Sequence, residues 1–395
     1  MQVDDTKPNN KVVHPYAQYI TDTLTGYFMG EPVAYSSSED IDALRMTFEY
    51  NDEQNENMEL AKNCSIYGDA WEYIYIDLDG NIRFTAIDTK EIIPIYGKTI
   101  ENELVAVIRF YDEYNVIKDV IETIVEVYTD TDIIKYVAAQ TLDTLHFVDA
   151  IQHYIGSVPF VQYKNNDDET GDFEGVISLI DAYDTLVSDD LNDFEYFCDA
   201  YLALYGYTAD ADDIRAMKEN RVLLLDPDSK AEWLIKQGDS AGVEQEKSRI
   251  EKDIHKFSKT PDSSDDNFSG NTSGVAMKYK LLGTENLGSI KERKFKKGLQ
   301  RRLEILSYLF NLLRKGSFNW LNVEIVFTRN LPINEDDISS MVSNLDGIVS
   351  KKTLLSQLPF VEDPDQELKQ LQNEQASTIY YAAGAFSATG TSDDE

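Results

Sequence analysis

The sequence predicts an α+β chain in which a β-rich N-terminal part precedes two long helices. Three observations carry this. Between Ala70 and Tyr163 the chain repeats runs of β-branched and aromatic residues separated by acidic and Asn clusters, the pattern of antiparallel strands and their turns. From 176 to 205 apolar residues recur three or four positions apart, which is helical spacing. The same spacing returns between 275 and 315.

Taken in order, residues 12–29 predict a short helix after Pro15, with Ile20, Leu24 and Tyr27 on one face and Gly30 and Pro32 as its stop. Residues 40–67 predict a mostly polar helical stretch ending near Tyr67-Gly68. AWEYIYIDLDGNIRFTAI is a hairpin about an Asp79-Gly80 turn. ELVAVIRFYDEY, IETIVEVYTDTDIIKYVA and LHFVDAIQHYIGSVPFVQY continue the strands, and Asn165–Gly175 is an acidic loop.

The 176–205 stretch places Val176, Ile180, Tyr183, Val187, Leu191, Phe194, Phe197, Tyr201 and Leu204 on one side. That is an amphipathic helix of about 30 residues, roughly 45 Å long. Asp181, Asp184, Asp189, Asp193, Glu195 and Asp199 occupy the opposite, exposed side. A helix this long needs a long partner surface, either another helix or a neighbouring subunit. Residues 207–239 form a small α/β insert: a polar helix, then two strands around Asp226-Pro227-Asp228. Residues 240–259 return to helix, with Val243, Ile250, Ile254 and Phe257 on one face, and 261–274 is a polar loop. In 275–315, Phe295, Leu299, Leu303, Leu306, Phe310 and Leu313 mark the apolar stripe. Gly283 and Gly288 lie inside it and predict a kink or break. Residues 323–331 predict a strand, 335–376 short helices around LPFVEDP, and the ATGTSDDE end a disordered tail.

Composition narrows the function. Of 395 residues, 42% are hydrophobic, enough for sizeable cores, and 72 acids oppose 36 bases for a net charge of -36. Such a surface repels free DNA and anionic membranes over most of its area. Cys64 and Cys198 form no CxxC pair, the N-terminus has no apolar signal core, and no run is long enough to span a membrane. There is no GxxxxGK[ST], which excludes a P-loop motor, and no GxGxxG, HExxH or GxSxG. We therefore expect no catalytic residue, no metal and no cofactor. Asp77-Leu78-Asp79-Gly80-Asn81 matches the start of a calcium loop, but its twelfth position is Asp88 instead of Glu, so a hairpin turn is the better reading. Asp262, Asp265 and Asp266 are read as a solvated acidic loop. The acids along 181–199 lie on one helix and cannot face each other across a sugar, as a glycosidase pair must.

One stretch runs against the global charge. Lys278, Lys280, Lys291, Arg293, Lys294, Lys296, Lys297, Arg301 and Arg302 are opposed only by Glu285 and Glu292. Two roles stay open for this basic belt: a surface facing DNA or a neighbouring subunit, and ion pairing with acidic faces nearby.

Several strings in fixed order resemble the portal proteins of tailed double-stranded DNA bacteriophages, in the variant common in siphophages of Gram-positive hosts. They are KPNNKVVHPYAQYITDTLTGYFMGEPVAY, SIYGDAWEYIYIDLDGNIRF, IIPIY with Pro94, VISLIDAYDTLVSDDLNDFEYFCDAYLALYGY, HKFSKTPDSSDDNFSGNTSGVAMKYKLLG, IVFTRNLPINEDDI and LLSQLPFVEDPDQEL. The resemblance runs from about Lys7 to Leu371. It departs at one end: family members carry a further helical segment before the KPNN string, where this chain has six residues. A trimmed chain, a cleaved segment and a phage lacking it all fit.

The resemblance implies an α+β portal fold assembled as a ring, typically a dodecamer. Its parts would be a β-rich wing (1–175, with a strand return at 317–334), long stem helices (176–206 and 240–260) and a small α/β clip (207–239). A tunnel loop (261–274), a long kinked channel helix (275–316), a helical crown (335–386) and a tail (387–395) complete it. It implies a non-enzymatic DNA channel at one capsid vertex. The channel would nucleate procapsid assembly and meet the terminase large subunit, capsid and scaffold proteins and a head-completion adaptor. Its places would be the virion and, during assembly, the host cytoplasm. In the tunnel loop, Asn267, Asn271, Thr272 and Ser273 would offer hydrogen bonds to DNA phosphates, with Phe268 as an apolar wedge or anchor. The alternatives are a tail or head-completion protein, against which the two long helices argue, and an acidic hydrolase, which predicts a pocket in a small oligomer.

Overall fold

The structure, a computed structural model of the chain, describes residues 8–116, 119–138, 144–198, 201–206, 210–220, 228–234, 240–262, 279–330 and 342–374, apart from 357, 359–360, 362–363 and 365. Its contacts divide into two units. One joins Met1–Gln18 to Gly175–Ser258, and the larger joins Tyr19–Glu174 to Lys259–Glu395.

The larger unit is organised by its last long helix, α7 (Leu282–Leu313). Phe295, Leu299, Leu303, Leu306 and Phe310 on its apolar stripe are at most 2% exposed. Each contributes about 1.5–3 kcal/mol by leaving water. They meet Phe28 of α1 (Tyr16–Met29), Leu44 of α2 (Asp42–Tyr50), Leu60 of α3 (Glu53–Tyr67) and Ile74 of β2 (Asp69–Ile76) in one core. Strand β1 (Ala34–Ser37) pairs with the late strand Val323–Val326, so the end of the chain closes on its beginning. Strand β2 pairs antiparallel with β3 (Ile82–Ile87) and with β9 (Phe160–Lys164). A second sheet runs in the order β4 (Ile92–Tyr96), β5 (Leu104–Asn115), β6 (Val120–Tyr128), β7 (Asp132–Ala138), β8 (Leu145–Gln152). A smaller core of Trp71, Ile87, Ile92, Val107, Tyr128, Val158 and Phe160 joins the two sheets.

In the smaller unit, α4 (Ile177–Cys198) lies against α6 (Ser240–Ser258), where Lys247 donates to Asp190 at 2.6 Å. Between them come β10 (Tyr201–Tyr205), α5 (Ala211–Asn220) and β11 (Lys230–Leu234). The N-terminal strand of chain runs along α4. The backbone N–H groups of Asn10, Val12 and His14 donate to Asn192, Ser188 and Asp184 at 2.7, 2.9 and 2.9 Å. Two extended residues span about 6.6 Å and four helical residues about 6 Å, so every second N–H meets every fourth side chain.

Several expectations are corrected. The 40–67 stretch is two helices, because Asp52 turns left-handed (φ 51°) and the buried Asn51 side chain binds Thr47, Ile82 and Phe84 backbone groups. The β2–β3 connection is a five-residue loop, 77–81, and not a two-residue turn: Ile76 pairs with Ile82, and the Asp77 carboxylate accepts from the N–H groups of Asp79 and Asn81. The 176–205 helix is 22 residues long, and Tyr201–Tyr205 is a strand. Its partner is Lys230–Leu234, which lies where the second strand of the insert is expected; the first falls at 221–227, outside the described residues. Asp184 is not simply solvated, since His14 binds it through backbone and ring. The helical stretch expected over 275–315 is interrupted by a turn at Leu281, after helical Tyr279 and Lys280 and two residues before Gly283, whereas α7 runs unbroken through Gly288. Gly288 serves close packing instead: a Cβ there would lie 3.2 Å from the Tyr27 ring.

Candidate functional site

The basic stretch is where the sequence concentrates possible ligand-binding charge, and α7 sorts it by face. Gly288, Lys291, Phe295, Gly298, Leu299, Arg302 and Leu306 all lie on the buried stripe. Two cations are therefore carried into the interior with the apolar residues.

Arg302 is 0% exposed. Its Nε and Nη2 donate to the two oxygens of Glu72 at 2.9 and 2.6 Å. Its Nη1 donates to Glu53 and Asn57 at 2.9 and 2.8 Å. The guanidinium also lies 4.7 Å from the Phe84 ring centre. Burial alone would lower its pKa, but Glu72 and Glu53 outweigh that and hold it above its ordinary value. One cation thus faces two buried carboxylates. Glu72 takes the bidentate fork, and Glu53 is left with one Arg contact, the Tyr35 hydroxyl and the Asn57 amide. Its Oε2 has no partner, and burial raises its pKa.

Lys291, 4% exposed, donates to Asn165 and Asp172 at 2.6 and 2.5 Å. Asp172 also accepts from the Ser65 hydroxyl at 2.5 Å. Lys291 therefore ties the acidic 165–172 loop to α3 and α7. Lys294 reaches Asp167, which lowers the Asp167 pKa, and Lys296 donates to the Ile325 carbonyl at 3.0 Å. Arg301 pairs one turn along with Glu304 at 2.5 Å. Lys280, Arg293 and Lys297 are exposed. Lys278 and the loop residues Asn267, Phe268, Asn271, Thr272 and Ser273 lie outside the described residues.

The stretch is thus no continuous surface belt. Lys291 faces inward, and Lys294 and Lys296 are engaged within the unit. The signal for this was in the sequence: Lys291 and Arg302 fall four residues before and seven after Phe295, on its own face. What spacing along α7 could not give was Glu53 and Glu72, which are 249 and 230 residues away in sequence from Arg302.

Other chemistry is sparse. Cys64 is buried and burial pushes its thiol up, which leaves it inert. Among the described residues no His, Cys, Asp or Glu group is placed to hold a metal, and no helix is long and apolar enough to cross a membrane. A shallow surface dip is lined by Met46, Tyr50, Asn81, Phe310 and Lys315, with no convergent acid–base pair among them.

Comparison with known proteins supplies the identity. The chain matches the profile of the family described as phage portal protein, SPP1 Gp6-like, over residues 2–380. It is 25% identical to the portal protein of Bacillus phage SPP1, covering 99% of this chain and 81% of that one. It is 26% identical to the portal protein of Clostridium phage phiCD119, covering 98% and 87%. Both phages infect Gram-positive hosts. The match spans both structural units, the α+β architecture agrees with it, and the family is one of structural virion components: the chain belongs to the SPP1 Gp6-like family of phage portal proteins.

Proposed function

We propose that the chain is one subunit of a ring, typically of twelve, that conducts double-stranded DNA through one capsid vertex. The observation that carries this is the family match over residues 2–380. In this reading the ring seeds the procapsid with scaffold and capsid proteins and docks the terminase large subunit while DNA enters. It then receives a head-completion adaptor. It acts in the virion and, during assembly, in the host cytoplasm.

The electrostatics support a conduit over a clamp. A DNA-gripping protein presents free Lys and Arg to phosphates. Here Lys291, Lys294, Lys296 and Arg302 are engaged internally, against a net charge of -36. DNA passing such a wall is repelled and slides. We assign the wing to 1–175 and 317–334, the stem to 176–206 and 240–260, the clip to 207–239, the tunnel loop to 261–274, the channel helix to 275–316 and the crown to 335–386. Within the loop, Asn267, Asn271, Thr272 and Ser273 contact the backbone without reading bases, and neighbouring acids keep the grip weak.

Two measurements test this. Light scattering of the purified chain should give a closed particle of about a dozen subunits; a stable monomer at high concentration refutes the ring. Shortening 264–272 to a Gly-Ser link should leave rings and heads intact and reduce DNA packaged or retained per head. Normal packaging makes the loop a connector, and failed rings make it structural.

A further inference from the structure

Over β4–β6 the β4–β8 sheet turns one face to the core, and its other face is open. On the inner face Ile92, Val107, Ile124 and Tyr128 are at most 8% exposed. Successive residues alternate sides, so the register defines the other face. One cross-strand row is Ile93, Ile108, Val127, Ile134 and Ala150. The next is Phe110, Val125, Tyr136 and Phe147. Tyr114 and Ile121 pair beyond them. Asp112 is the acid within this area and Asp119 and Asp132 lie at its margins; each already accepts a hydroxyl, Asp112 from Thr123 at 2.7 Å, Asp119 from Tyr114 and Asp132 from Thr131 at 2.6 Å.

The area is large. Ile93, Phe110, Tyr114, Ile121 and Phe147 are 48, 38, 57, 69 and 63% exposed. At ~200 Å² for a large side chain they leave roughly 500 Å² of mostly apolar surface open. The half-buried side chains between them carry the face toward the ~800 Å² that each partner gives to a standard interface. An open patch of that size is about as large as the largest on a typical monomer, which is often a functional surface. The sheet edge beside it is also open. All eight residues of β8 are exposed and none is proline, whereas the opposite edge strand, β4, carries Pro94.

We infer that this face seats a neighbouring copy of this chain. The inference rests on the ring reading above and names where one subunit meets the next. Charge argues for a second copy. Subunits that each carry -36 repel wherever their ionised faces meet, so they join best through a face whose acids are few and already bonded. A basic partner would be drawn to the acidic surfaces instead. Two such faces packed on each other would make a two-fold joint that stops at two subunits. In a ring the face meets a different surface of its neighbour.

The test uses the full chain assembled as purified. With Cys198→Ser as background, Phe147→Cys is labelled with a maleimide beside Leu78→Cys, whose position in the 77–81 loop is fully exposed (107%). In the ring, Phe147→Cys should react about tenfold slower than Leu78→Cys, since the core of an interface excludes solvent. Ile121→Asp with Phe147→Asp should move the chain from rings to free subunits with an unchanged far-ultraviolet circular dichroism spectrum. Equal labelling rates in an intact ring, or normal rings from the double variant, overturn the inference and leave the ring reading standing. Protection that arises only inside a capsid shell assigns the face to the capsid protein and also overturns it. A wild-type chain that forms no ring removes both. Should the double variant misfold, the labelling ratio decides alone.

Discussion

Arg302 sits where one charge must serve two carboxylates, and its removal should show this. Arg302→Met leaves Glu53 and Glu72 buried without a cation. Breaking a buried pair from one side costs about 3–5 kcal/mol, so the urea midpoint should fall steeply. Arg302→Lys should not restore it, because an ammonium lacks the planar fork that spans Glu72 while reaching Glu53. Glu53 should behave differently. Its pKa is raised by burial, so its contribution to stability is fully present below its unfolded value of about 4.3 and is lost as pH rises through the folded value. Glu53→Gln removes that dependence. The difference in urea midpoint between variant and wild type should therefore shift in the variant's favour from pH 4 to pH 8. A difference that is flat with pH would mean that Glu53 is ionised throughout.

Helix α7 gives two glycines opposite roles. At Gly298 an added Cβ would lie 2.3 Å from the ring of Tyr163, a side chain that is 0% exposed. Gly298→Ala should cost at least the ~1–3 kcal/mol of an overpacked core. At Gly283 the nearest atom would be the Lys259 Cβ at 3.7 Å, an ordinary contact. Gly283→Ala should stabilise by up to ~1 kcal/mol, because alanine is the better helix former. Thermal melting of the two variants should move in opposite directions. Helix α4 offers a further test. Leu191 and Phe194 are 37 and 68% exposed; a ring would give these side chains a partner. Leu191→Asp with Phe194→Asp should block assembly while leaving the helical signal unchanged. Unaltered rings would remove α4 from the subunit joint.

For the whole molecule, the net charge of -36 against a basic stretch largely engaged inside it predicts weak DNA binding. Assembled rings should bind linear DNA without sequence preference, and with a shallow dependence of affinity on salt, because few counterions are released. Tight, sequence-selective binding in a titration would contradict the conduit. Arg293→Glu with Lys297→Glu probes the exposed remainder of the stretch. It should lower the ring's thermal midpoint more than it changes DNA binding, and the reverse ranking would place those two side chains on the DNA.

The sequence by itself determined the class, the order of elements and the family. Strand alternation, the α7 stripe and the strings from KPNN to LLSQLPFVEDPDQEL are local, and local spacing is what a linear text preserves. It also put Lys291 and Arg302 on the Phe295 face, a spacing that alone did not choose between surface and interior. What only the tertiary structure decided is what those residues meet. The 22-residue limit of α4 follows from Tyr201–Tyr205 finding a strand partner at Lys230–Leu234. The close approach of α7 to Tyr27 at Gly288, where a Cβ would lie 3.2 Å from the ring, is likewise a matter of packing. The basic stretch became interior pairing because Glu53, Glu72, Asn165 and Asp172 converge on one helix from distant parts of the chain. Charge pairing depends on distance in space, and a charge buried without its partner costs several kcal/mol. The choice between surface belt and buried network was therefore made by packing, which periodicity along one helix does not encode.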